Sequence, residues 1–376
     1  MTRSDFIHGH HWVDPENDPR EPKLVFAMEM VEMLRDGRSV DFSSGKPLVI
    51  AEEDSFSLTE GSLLAFQTSG SSGKPAQVIH SANNLLHAVA GLQGRIGLDP
   101  ISSVCCLPLD HLGGWMQVFR AMETSGSVFF CSYHDLAVNT FARKLQGRWL
   151  SLVPTQLHKL VKSTQALANL RAARGIFVGG SAISPRLTAL CREEELPIWP
   201  TYGMTETAGM VTLLSAEEFL GGREGVGQVL PHAELSLAGN DGKIKVKCQS
   251  LCVAKPPTRF HPEEWLQTED YGEFNAEGYW TVSGRADRII VSGGENLDPT
   301  VAERAILETG LVDECIVLGI KDEHWGQLAR AYVTPSCVNL VEVQKLAKRM
   351  LPRANYPKEW IATVELPLSE MGKAKN

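Results

Sequence analysis

Between about residues 60 and 215, short apolar runs alternate with longer stretches of helical periodicity. The runs at 63–66, 103–107, 127–130, 150–153, 175–178 and 198–202 have the length of buried strands. Between them, 81–94, 134–145, 155–162 and 184–195 place apolar residues at helical spacing. Ser184 followed by Pro185 is a good helix start, because serine caps the free amides and proline suits the first helical position. Strands alternating with helices predict an α/β unit with a mostly parallel sheet.

From about residue 225 the pattern changes to short strands and turns. The segments 233–237 and 243–248 flank Gly239-Asn240-Asp241-Gly242, which predicts a β-hairpin. A further strand is expected at 278–282. This section reads as a small barrel-like or sheet part that completes a large domain of residues 1–286. After Asp287 a helix is expected from Leu297-Asp298-Pro299 to Thr309-Gly310. Strands at 314–318, 330–334 and 360–364 and a helix at 341–350 follow. About ninety residues suffice for an independent α+β unit, so residues 287–376 are expected to form a small C-terminal domain.

Composition narrows the class of partner. The 376 residues are 43% hydrophobic and 22% charged, which is ordinary for a globular protein. A net charge of −9 disfavours nucleic acid as a partner. No apolar run reaches the roughly 18 residues needed to span a bilayer. Met1-Thr2-Arg3-Ser4-Asp5-Phe6 lacks the apolar core of a signal peptide, so a cytoplasmic location is expected. Of eight cysteines, Cys105, Cys106, Cys131 and Cys315 lie among apolar residues and read as core positions in a reducing compartment. Cys248 and Cys252 are four apart, but no second pair completes a zinc site. His8, His10 and His11 cluster without acidic or cysteine partners at ligand spacing, so no metal role is expected for them.

One segment carries chemistry by itself. Thr68-Ser69-Gly70-Ser71-Ser72-Gly73-Lys74-Pro75 is dense in residues that turn backbone amides and hydroxyls toward an anion, and Lys74 adds positive charge. It is not a Walker A loop, because only two residues separate Gly70 from Gly73 and Pro75 follows the lysine. Alone, it fits a polyphosphate cradle or a flexible surface linker equally well.

Three further segments decide between these. Tyr202-Gly203-Met204-Thr205-Glu206-Thr207 comes first, then Gly284-Arg285-Ala286-Asp287-Arg288 leading to Gly293-Gly294-Glu295-Asn296, and last Gly372-Lys373. In this order and spacing the four segments resemble the adenylate-forming superfamily of acyl-CoA ligases, luciferases and peptide-synthetase adenylation domains. The resemblance runs from about residue 60 to the end. The phrases Ser151-Leu152-Val153-Pro154-Thr155-Gln156-Leu157 and Phe177-Val178-Gly179-Gly180-Ser181-Ala182 are most similar to those of o-succinylbenzoate–CoA ligases, which act in menaquinone and phylloquinone synthesis.

The resemblance implies ATP-dependent adenylation of an aromatic or acyl carboxylic acid, then thioester formation with CoA. Thr68, Ser69, Gly70, Ser71, Ser72, Gly73 and Lys74 would hold the β- and γ-phosphates. Ala76 stands where the family usually has a lysine. Glu206 would ligate Mg²⁺, Thr205 would donate to the α-phosphate, and Tyr202 would pack on adenine opposite Gly180 and Ser181. Asp270 and Arg285 would bind the ribose. His111 would line the acyl pocket, with Gly113 and Gly114 leaving room for the aromatic acid. Lys373 would bridge the substrate carboxylate and the α-phosphate. Asp287 would be the hinge that exchanges Lys373 for Gly293 and Gly294, which would line the CoA channel. Family members carry a longer segment before the phosphate loop than the 67 residues here, so part of the first subdomain is expected to be missing or compressed. A monomer or homodimer is expected. Adenylation of a different acid, or binding of nucleotide without catalysis, are the alternatives.

Overall fold

The structure, a computed structural model, describes residues 12–18, 20–47, 62–68, 76–239 and 241–368. Its central layer is a seven-stranded sheet. In spatial order the strands are Gln228–Val229, Gly209–Leu213, Ile198–Met204, Gly175–Val178, Trp149–Leu152, Ser103–Cys105 and Val128–Phe130. The five from Ile198–Met204 to Val128–Phe130 run parallel. Alternate residues of these strands feed two cores. Leu150, Leu152, Ile176 and Val178 pack with Leu157, Leu170 and Leu187 on one face. Trp149 and Phe177 pack with Leu92, Leu213 and Leu230 on the other. Burial on both faces is why these strands read as unbroken apolar runs.

A six-stranded sheet lies beside it. Its centre is the antiparallel pair Leu63–Thr68 and Ala76–Ser81, whose last rung is Thr68 opposite Ala76. That rung closes the mouth of the Gly/Ser-rich segment, of which Ser69 to Pro75 lie outside the described residues. The section expected as a barrel or sheet is a four-stranded antiparallel sheet of Ala233–Ala238, Lys243–Cys248, Leu266–Phe274 and Trp280–Arg285. The expected hairpin pairs Ala238 with Lys243.

The C-terminal part builds a core of its own. Ile290, Leu297, Ile306, Val317, Val333 and Val343 belong to one buried cluster, all of whose fully buried members come from residues 290–351. Its sheet pairs Glu314–Asp322 with Gly326–Thr334, and adds Glu359–Ala362 in parallel.

Two sequence expectations change. The helix expected at 134–145 is a 3-10 turn, Tyr133–Ala137, and a single turn, Ala142–Leu145. The buried Asn169 amide donates to the carbonyls of Leu136 at 3.0 Å and Val138 at 2.9 Å, holding the chain out of helix, and Thr140 has φ +74°. Gly114 does not face an opening, whereas Gly113 is exposed. They begin the helix Leu112–Thr124, and a Cβ on Gly114 would stand 2.0 Å from the Pro108 carbonyl oxygen, so this glycine permits close packing. The helix Pro22–Arg35, for which the sequence carried no expectation, has apolar residues on most sides. All eight cysteines are free, six of them buried. Among the described residues no helix is long and apolar enough to cross a membrane.

Candidate active site

In open α/β sheets, ligands bind outside the carboxyl ends of the strands. Here Gly175–Val178 ends first, with Val178 opposite Pro200 as its last rung. The neighbouring strand continues to Met204 and so projects past the sheet edge. A one-turn 3-10 segment, Thr205–Thr207, follows, and Ala208 (φ +55°) and Gly209 (φ +96°) return the chain antiparallel. The turn is tight. A Cβ on Gly203 would lie 2.0 Å from the Gly209 carbonyl oxygen. The buried Thr207 hydroxyl accepts from the Met204 amide at 3.1 Å and lies 2.7 Å from the Gly209 carbonyl oxygen. Thr205 and Glu206 therefore sit at a rigid corner on the carboxyl edge.

Three elements hold that corner. The Cys252 amide donates to the Glu206 carbonyl at 2.8 Å. Lys255 Nζ lies 2.7 Å from Glu206 Oε1. His80 Nε2 lies 2.7 Å from the Thr205 carbonyl oxygen. A carbonyl only accepts, so His80 carries its proton on Nε2. The ring is buried, and burial pushes its pKa down to about 4. Among the described residues its Nδ1 has no partner.

A second cluster is built across the four-stranded sheet, where Asp270 is directly opposite Arg285. Asp270, 5% exposed, accepts from the Tyr202 hydroxyl at 2.8 Å and from Arg285 Nη1 at 2.9 Å. Arg285 also forks onto both carboxylate oxygens of Asp287, each at 2.8 Å. Burial pushes the Asp270 carboxyl up, while Arg285 and the Tyr202 hydroxyl pull against it. The Asp287 pairing, above all, raises the Arg285 guanidinium. Tyr202 is itself buried among Val211, Ile244 and Trp280, with its hydroxyl turned to Asp270. Its ring is thus mostly covered by protein on the side facing the core.

Other predicted positions are more open. Gly180 (φ +87°) and Ser181 are exposed just past the end of Gly175–Val178. His111 is half-buried at the start of Leu112–Thr124 and caps it with no side-chain hydrogen bond. Asp287 lies in the 3-10 turn Ala286–Arg288 between the two units. Gly293 (φ +61°) and Gly294 (φ +85°) form an exposed turn, and the Gly293 amide donates to the Trp325 carbonyl at 2.9 Å. Ser69 to Lys74 and Lys373 lie outside the described residues.

The structure thus joins Tyr202, Asp270, Arg285 and Asp287 in one network, and Thr205 and Glu206 at one corner. Sequence reading missed His80 and Lys255, which support that corner from 125 and 49 positions away. It also missed Arg120, whose buried guanidinium lies 5.6 Å over the Phe177 ring and is pulled down by burial to about 10. No local pattern marks these residues, because each is defined by a partner distant in sequence.

Residues 16–256 match the AMP-binding enzyme family, and residues 302–373 match the AMP-binding enzyme C-terminal domain. The chain belongs to the AMP-binding enzymes. A 2-succinylbenzoate–CoA ligase of Enterococcus faecalis is 26% identical over 322 residues, covering 81% of this chain and 66% of that one. The o-succinylbenzoate-CoA synthetase of Bacillus subtilis, solved with its acyl-adenylate intermediate, is 26% identical with a TM-score of 0.68. That match covers 83% of this chain and 67% of the other. The same synthetase with ATP and a magnesium ion gives 26% identity, a TM-score of 0.67, and coverage of 83% and 68%. This AMP-binding enzyme spans about two-thirds of the length of these relatives.

Magnesium that travels with a polyphosphate needs one or two carboxylates, phosphate oxygens and water. Glu206 fits that need. Its carboxylate sits at the strand edge, and the Lys255 ammonium against Oε1 marks a position a cation already favours. Among the described residues no group of three or more His, Cys, Asp or Glu could hold a metal without the nucleotide.

Proposed function

We propose that this AMP-binding enzyme is an acid–CoA ligase of the AMP-forming type. It would adenylate a carboxylic acid with ATP and pass the acyl group to CoA. The names of its relatives support o-succinylbenzoate as the acid, and with it a step of menaquinone or phylloquinone synthesis. The observation that carries the reading is the placing of the Tyr202–Asp270–Arg285 network and the Thr205–Glu206 corner in a chain that matches both AMP-binding models.

Adenylation brings a carboxylate against the α-phosphorus, so one anion attacks another. The site must neutralise charge and align the nucleophile. Asp270 offers two acceptor oxygens to a ribose diol, and Arg285 holds that carboxylate in place. Thr205 would donate to the α-phosphate, beside Gly180, Ser181 and Tyr202 at the base. Magnesium, when bound through Glu206, supplies charge neutralisation for the leaving pyrophosphate. Thr68 to Lys74 would hold its β- and γ-oxygens. Lys373 would bridge the substrate carboxylate and the α-phosphate, and His111 would line the acyl pocket.

The two half-reactions need different surfaces at one site, and we assign the exchange to a hinge at Asp287. Domain rotations are absorbed by a few residues at element ends. The small unit meets the large one through Arg186–Asp313 at 3.0 Å and Lys162–Asp313 at 3.6 Å, contacts that a rotation would break. Gly293 and Gly294 would then face the site and shape the CoA channel. A compartment with ATP, CoA and reduced thiols suits this chemistry, and the eight free cysteines agree with a cytoplasmic setting. The test is pyrophosphate release from o-succinylbenzoate, ATP and Mg²⁺, with acyl-CoA appearing only when CoA is added. Nucleotide binding without pyrophosphate release from this or any other aryl acid would refute the ligase reading.

A further inference from the structure

We propose that Lys255 is a further phosphate-contacting residue, held on Glu206 while the site lacks a metal nucleotide and released onto the polyphosphate when one binds. The proposal rests on the adenylation reading and adds a residue to it.

The first observation is the pairing itself. Lys255 Nζ lies 2.7 Å from Glu206 Oε1, the carboxylate placed to take the metal. A divalent cation bound through Oε1 would take the ammonium's place, and repulsion between two cations on one carboxylate favours the lysine's departure. The second is where the lysine is mounted. The short strand Ala254–Lys255 pairs antiparallel with Ala76–Ser81, Ala254 opposite Ile79. Going from Ala254 to Lys255 therefore moves along that neighbour toward Ala76. Ala76 pairs with Thr68 at the mouth of the Gly/Ser-rich loop. Lys255 is thus mounted on the strand that borders the hairpin, with its ammonium on the Glu206 corner. The third is freedom to move. The Lys255 side chain is 40% exposed, against 14% for Glu206, so the cation can swing while the carboxylate stays. A flexible four-carbon stem carrying a compact charge suits such a transfer.

Charge balance favours the exchange. With no metal, the ammonium neutralises Glu206. With a metal polyphosphate held through Glu206, the displaced Lys255 ammonium would meet β- or γ-phosphate oxygens. Neither step leaves a bare charge in a partly buried site. Position 76 carries alanine, so the hairpin edge offers no cation of its own there. Lys255 supplies one from the adjacent strand.

The test is equilibrium binding of AMP, ATP with chelator and ATP with Mg²⁺ to the full chain, by calorimetry. Lys255→Met and Lys255→Arg are compared with the unsubstituted protein. Lys255→Met should weaken Mg·ATP binding about tenfold, the order of one charge-assisted hydrogen bond. AMP binding should stay within about twofold, since AMP has no β- or γ-phosphate, and Lys255→Arg, which keeps the charge, should lose less Mg·ATP affinity than Lys255→Met. Unchanged Mg·ATP affinity in Lys255→Met would overturn the proposal. So would an equal loss for AMP and ATP, the mark of a merely structural ion pair. An unsubstituted chain that binds neither nucleotide would overturn the adenylation reading, and this proposal with it.

Discussion

Two carboxylates at this site are each paired with a cation, and the pairings differ in kind. Asp270 is buried on a long strand, takes both a guanidinium and a tyrosine hydroxyl, and has its arginine tied again to Asp287. Glu206 sits on a one-turn corner and meets a single lysine through one oxygen. Arginine's planar fork suits a fixed contact, and lysine's point charge suits an exchangeable one. On the proposed reading the two regions would serve the two ends of a nucleotide. The nucleoside end is common to ATP, acyl-adenylate and AMP and needs one unchanging receptor. The polyphosphate end arrives with a metal and leaves as pyrophosphate, so its receptor must trade partners.

The largest effect that would sharpen this contrast lies at the polyphosphate end. Lys373→Ala should lower adenylation by about a thousandfold, because it removes the cation proposed to bridge the two reacting anions. Thioester formation from preformed acyl-adenylate should be nearly unaffected. Measuring both half-reactions separately checks this, and equal losses in both would remove Lys373 from the assigned role. Glu206→Gln comes next. It should cut Mg²⁺-dependent pyrophosphate release by about a hundredfold while AMP binding stays within about twofold. Undiminished release at saturating Mg²⁺ would place the metal elsewhere.

The nucleoside end should break differently. Asp270→Asn keeps the shape but gives up the charge that faces Arg285 and one acceptor for the Tyr202 hydroxyl. Affinity for ATP and AMP should fall together, and unfolding free energy should drop by about 1–2 kcal/mol, since a buried donor loses its partner. Calorimetric binding beside denaturant unfolding would check it. A selective loss of ATP affinity alone would contradict the division between a fixed and an exchangeable half.

The fixed half was the more legible in sequence. Tyr202 and Arg285 lie in segments whose order and spacing carry the family resemblance, and register on adjacent strands brings Asp270 face to face with Arg285. The parallel strands were legible because burial on both faces makes each an unbroken apolar run. The exchangeable half was not. Lys255 follows Cys252-Val253-Ala254 in a stretch with no recognisable motif, and the rung to Ile79 and the Cys252 amide on the Glu206 carbonyl bring it beside the corner. His80 looks like any polar residue ending a strand until the chain returns at Thr205. The false helix at 134–145 has the same origin. Its apolar spacing is real, but a buried amide from Asn169 claims the carbonyls that a helix would use.

The smallest predicted effect concerns how the exchangeable corner is anchored. His80 is neutral in the fold, with its pKa pushed down to about 4 from an ordinary 6.5. The unfolded chain therefore takes up a proton on His80 as pH falls below about 6.5, while the folded chain does not. The stabilising contribution of the neutral ring is complete above that pH and is lost progressively toward pH 4. Buried carboxylates, Asp270 among them, have raised pKa values and act in the opposite sense, so total stability is a poor readout. The difference between the protein and His80→Gln cancels those common contributions. Glutamine can still donate to the Thr205 carbonyl but cannot take up a proton. The stability advantage of the unsubstituted protein should therefore shrink by on the order of 1 kcal/mol between pH 8 and pH 5.5. Denaturant unfolding of both proteins at the two pH values would measure it. A difference independent of pH would mean that His80 is open enough to protonate in the fold, and would remove it as the dry anchor of Thr205.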